Sequence, residues 1–199
     1  VNYVSSEAYI QLPPDSTGKK ARAIYQSALD SYEEVEASKP IEHENPVYAV
    51  AVSASAVGAS KHHLTIWNGS SSYIRILRVI VSMHSTAAVS GYIMQYIMQR
   101  ASAVSGGTAL TIVKLDNRDP ALPSGISAVT GATVTLKEAP IAIFALNPEE
   151  TGAFCYIQFD PPKPIVVAPS EGITIQQYAT AGVGLFNAVI YFSVEVIKP

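Results

Sequence analysis

From Val47 onward, apolar residues recur at every second position. VYAVAVSASA (47–56) sets Tyr48, Val50 and Val52 against the smaller Val47, Ala49, Ala51 and Ser53. LTIW puts Leu64 and Ile66 on one face and Trp67 on the other. Near the C-terminus Phe186, Ala188, Ile190, Phe192, Val194 and Val196 form one apolar row, with Asn187, Ser193 and Glu195 opposite. A period of two is the mark of a strand with one buried face. YIRILRVIV (73–81) is apolar on both faces apart from Arg75 and Arg78, which strict alternation sends to opposite sides. TALTIVKL, ATVTL, PIAIFAL, FCYIQF and ITIQQY continue the series, separated by turn-forming NGSSS, SGG, DNRDPALPSG, NPEETG, DPPKP and PSEG. Nine or ten short strands without βαβ alternation predict an all-β protein, an antiparallel β-sandwich of jelly-roll-like design. YIMQYIMQ (92–99) fits two periods: as a helix it aligns Ile93 with Ile97, as a strand Tyr92, Met94, Tyr96 and Met98. Gly91 and the β-rich surroundings favour the strand.

The first 46 residues follow another pattern. In KKARAIYQSALDSYEEVE (19–36), Ile24, Ala28, Tyr32 and Val35 recur at spacings of four, four and three, which predicts one helix with an apolar stripe. Asp15 or Ser16 could cap it, and VNYVSSEAYIQLPP before it reads as an extended arm. A lone helix of this length is marginal in water, so the stripe needs a partner surface. SKPIEHENP, flanked by Pro40 and Pro46, has linker chemistry. The expected organisation is an arm and helix over 1–46 and a sandwich over 47–199.

Charge sharpens this division. Residues 1–46 carry four basic and eight acidic side chains, whereas 47–199 carry nine and eight over a span three times as long. Charged residues make up 15% of the whole chain, against roughly 25% in an average soluble domain. So little charge predicts surface hidden in an assembly. The net charge of −3 offers no footprint for nucleic acid or an anionic membrane. No secretory signal is expected at the N-terminus, and polar residues and glycines interrupt both long uncharged stretches, 79–99 and 172–194. Asn68-Gly69-Ser70 matches a glycosylation sequon but reads as a turn.

Candidate chemistry is sparse. His62 and His63 are adjacent, so on a strand they face opposite ways and cannot share a metal. His43 lies in the Pro-bounded linker, where nothing fixes ligand geometry, and His84 stands alone. Cys155, the single cysteine, sits in an apolar strand and reads as an inert thiol. Asp116/Asp119 and Glu149/Glu150 fall in Pro- or Gly-rich turns, and SGGT lacks the Lys and helix of a phosphate loop. The expectation is no enzyme, no cofactor and no metal. Arg75 and Arg78 stand out, because an Arg in an apolar strand needs a carboxylate or carbonyl partner; an interstrand or intersubunit ion pair is the favoured role.

Three stretches together, HLTIWNGSSSYIRILRVIVS, SGGTALTIVKLDNRDPALPSG and KPIVVAPSEGITIQQY, followed by the final apolar strand, resemble structural proteins of tailed-bacteriophage particles. There a W/F-N-x-S-G-S turn precedes an Arg-bearing strand, GGT…LD…P forms a long connection, and P-G-E-G precedes a terminal hairpin. The likeness covers roughly residues 62–197, with PSEG where the pattern has PGEG. It implies a virion structural protein, made in the host cytoplasm, and leaves its place on the capsid shell, in head fibres or in the tail open. Low charge, the small-residue strand AVAVSASAVGAS and the extended N-terminus favour a decoration or cement protein on the capsid surface. The alternative is a tail- or fibre-associated module that binds carbohydrate or a receptor. The expected partners are further copies of the chain (a homotrimer first) and capsid or other virion proteins, without nucleic acid or membrane. Ile24, Ala28, Tyr32, Val35, Arg75 and Arg78 are the interface candidates.

Overall fold

A computed structural model describes residues 7–11, 20–26, 31–33, 46–85, 93–147, 154–158, 164–178 and 182–195. The chain divides into two compact units, Val1–Glu44 and Asn45–Pro199.

In the first unit, β1 (Glu7–Gln11), β2 (Lys20–Gln26) and β3 (Ser31–Glu33) pair antiparallel in the order β1-β2-β3. This corrects the expected helix: the described parts of 19–36 are strands. Ile24 lies opposite Glu7 and Glu33 in the ladder, and Tyr32 opposite Tyr25. Ala28 and Val35 lie outside the described residues. The physical reason is backbone pairing. β2 has a partner strand on each side, and such pairing outweighs a helix preference worth a few tenths of a kcal/mol per residue.

The second unit contains β4 (Val47–Ala56), β5 (His62–Asn68), β6 (Tyr73–His84), β7 (Met94–Ser105), β8 (Thr108–Ala109), β9 (Ile112–Lys114), β10 (Ile126–Thr130), β11 (Thr133–Leu146), β12 (Phe154–Gln158), β13 (Ile165–Val167), β14 (Glu171–Gln177) and β15 (Leu185–Glu195). Sheet I runs β12-β6-β15-β4-β9, with β13 also on β6; sheet II runs β11-β7-β14-β5-β10-β8. The long strands pair in nested fashion: β4 with β15, β5 with β14, β6 with β13 and β12, and β7 with β11. Successive strands from β4 to β7 alternate between the sheets, as do those from β11 to β15 once β12 and β13 are taken together. A long antiparallel ribbon folded over itself gives this order, which is that of a jelly roll.

The alternation read from the sequence supplies the core. Tyr48, Val50, Ile74, Ile76, Val79, Val81, Phe186, Ile190 and Phe192 from sheet I meet Leu64, Ile66, Tyr96, Met98, Ile173 and Ile175 from sheet II, all almost fully buried. Tyr96 stacks on Phe186 across the sheets at 4.4 Å between centroids. The ambiguous YIMQYIMQ is strand where described: Met94, Tyr96 and Met98 point inward, and Ile93 is 70% exposed.

Two bulges break the alternation with consequences for side-chain placement. On β6, Arg78 pairs with Tyr191 and Ile76 with Phe192, leaving Leu77 as the extra residue. On β5, Leu64 pairs with Ile175 and His62 with Gln176, leaving His63 as the extra one.

Candidate interaction surface

The bulge at Leu77 corrects one expectation directly. Inward residues of β6 are Ile74, Ile76, Val79, Val81 and Met83, so Arg75 and Arg78 both lie on the outer face of sheet I. Strict alternation would have separated them; one extra residue between them restores the same side. Arg75 has its carboxylate: its Nε donates to Glu195 Oε2 at 2.8 Å, and its Nη2 lies 2.6 Å from the same oxygen. Arg78 differs. Its guanidinium sits over the rings of Tyr156 (5.3 Å) and Tyr191 (5.5 Å), and among the described residues it has no hydrogen bond or ion pair.

Register builds the rest of this face, because partners across a ladder share a side. One row reads Tyr156, Ile80, Val189, Ala51; the next reads Arg78, Tyr191, Ala49, Val113. Val113 is 51% exposed and Tyr156 45%. An apolar band crosses sheet I on its outward side, with one cation in it. No spacing in the sequence announces Tyr156 or Tyr191 as neighbours of Arg78, since they are brought there by strands far apart in the chain.

The turn motifs converge at one place. Asn68 is fully buried at the end of β5. Its Nδ2 donates to Ser72 O (2.8 Å) and Val167 O (3.2 Å), and its Oδ1 accepts from Ser70 N (3.2 Å) and Ser70 Oγ (2.7 Å). Ser70 N–H faces inward to Asn68, Ser170 N donates to Asn68 O, and Gly69 N donates to Gly125 O. NGSSS, LPSG and PSEG therefore close on one another. Gly125 holds φ +92, and a Cβ there would stand 2.7 Å from Gly69 O. The Asn68 amide, buried and bonded on both ends, ties these turns together. Close by, Glu171 binds Lys137 and lies 3.7 Å from Arg100; the Lys137 hydrogen bond lowers the Glu171 pKa.

His62 and His63 do face apart. His62 Nδ1 lies 3.0 Å from Thr174 Oγ1, whereas His63 points into the core against Phe186 and Tyr96, its Nδ1 2.8 Å from Ser55 Oγ. Burial pushes the His63 pKa down to about 4. His84 Nδ1 contacts Asn187 Nδ2 at 3.0 Å. Cys155 is half-buried on β12, packed against the core. Asp119 accepts from Val47 N and Asp116 pairs with Arg118, so this carboxylate pair closes a loop onto β4; Glu149 and Glu150 lie outside the described residues, as does His43. Among the described residues no group of three His, Cys, Asp or Glu could hold a metal, and no helix is long and apolar enough to cross a membrane.

Compared with known proteins, the chain matches no family model, no curated protein and no solved structure.

Proposed function

We propose that the protein is a virion structural protein, a decoration or cement protein that binds the capsid surface as a homo-oligomer, trimer first. The observation that carries this reading is the outward face of sheet I, where an apolar band continues across β12, β6, β15, β4 and β9 on a body whose core is already closed. A surface of that kind is made to be covered. The low charge of the chain and the convergence of the resemblance motifs on Asn68 add to it: the quoted turns form one connected unit in space. In this role the protein does no chemistry; it adds buried contact area between shell subunits.

Quantitative gels of purified particles test the assignment. The chain should appear in amounts proportional to the major shell protein, and a particle reconstruction should place density of its size over the whole capsid. A few copies confined to the tail would overturn the decoration role in favour of host recognition, and absence from particles would overturn both.

A further inference from the structure

We infer that the outer face of sheet I, centred on Arg78 between Tyr156 and Tyr191, is the surface through which one copy of the chain binds the next, and that Arg78 receives a carboxylate of that second copy. This deepens the homo-oligomeric reading above by naming its contact surface.

Arg78 is the starting point. A guanidinium carries five N–H donors and is most stable opposite a carboxylate. Arg75, one position away on the same face, has Glu195 as its partner. Arg78 has only two tyrosine rings among the described residues. Those rings pack against the guanidinium at 5.3 and 5.5 Å, which lowers the entropy lost when an anion binds. Around it lie Ile80, Val189 and Val113, which give an incoming surface apolar area to bury. An aromatic and Arg centre with a polar edge, here Arg75 and Glu195, is the usual anatomy of a protein–protein contact.

At the usual strand spacing the band runs roughly 20 Å across the five strands.

Charge favours a second copy as the occupant. The chain carries its surplus of carboxylates in residues 1–46, eight acidic against four basic, whereas residues 47–199 carry one more basic than acidic. A positive centre on one copy therefore meets a chain rich in negative charge. A guanidinium that takes a carboxylate from a different surface of the next copy makes a head-to-tail contact, which forms a ring such as a trimer where the rotation closes.

Sedimentation velocity on the full-length protein tests this, with thermal melts confirming that each variant is folded. The wild-type protein should assemble at micromolar concentration, more weakly as salt rises. Arg78→Glu and Tyr156→Ser should each raise the dissociation constant at least tenfold, while Ile143→Ser, exposed on sheet II, should leave it unchanged. Assembly that ignores both sheet I variants, or is lost with Ile143→Ser, would overturn the assigned surface while leaving a homo-oligomer standing. A wild-type monomer would overturn the surface and the homo-oligomer together, and the particle gels would then decide the virion role separately.

Discussion

Asn68 shows how much one side chain can hold. Four hydrogen bonds from a fully buried amide join the β5–β6 turn to β13. Asn68→Ala removes all four, leaving the Ser72 and Val167 carbonyls and the Ser70 N–H and hydroxyl without this partner. The expected loss is about 2–4 kcal/mol in urea unfolding, with the slope of the transition unchanged. His63 sets a pH dependence. Its folded pKa is about 4 against an ordinary 6.5, so the unfolded chain takes up the proton first as pH falls. The stability it contributes is complete above about pH 6.5 and is lost progressively towards pH 4, on the order of 3 kcal/mol in all. Melting temperatures measured across that range should fall for the wild type and fall less for His63→Gln.

At the scale of elements, register decides which faces exist. Leu77 is the extra residue of a bulge, so its deletion leaves Ile76 inward, Arg78 outward and Val79 inward. The variant should keep a cooperative melt at a cost of about 1–2 kcal/mol for the lost packing. Deleting Ile80 instead, within the regular part of the ladder, turns every later or earlier inward residue of β6 outward, and the chain should not fold cooperatively. Circular dichroism melts separate the two outcomes. The sheet edges point the same way as the faces. β8, β9 and β12 are short, and long β11 is interrupted between Lys137 and Ala142, where Glu138 holds φ +66 and Pro140 offers no donor. Such edges resist strand addition, which leaves the faces as the surfaces for docking.

For the whole molecule, the described core lies entirely within Asn45–Pro199. Removing residues 1–46 should therefore leave a soluble β-rich domain with a cooperative melt and weaker self-association, because the acidic surplus goes with them. A truncated chain that fails to fold, or one that assembles as tightly as the full chain, would contradict this. Much of the design was legible in the chain itself. Alternation in VYAVAVSASA and in Phe186–Val194 names inward residues correctly, and NGSSS and PSEG mark turns, because both signals depend only on local backbone geometry. Three matters were settled elsewhere. Lys20–Gln26 is a strand because β1 and β3 lie beside it; Arg78 shares a face with Arg75 because β15 skips Leu77; and Tyr156 reaches Arg78 because β12 pairs with β6. Each depends on which distant strand supplies the hydrogen bonds, and a period read along one segment carries no record of its partner.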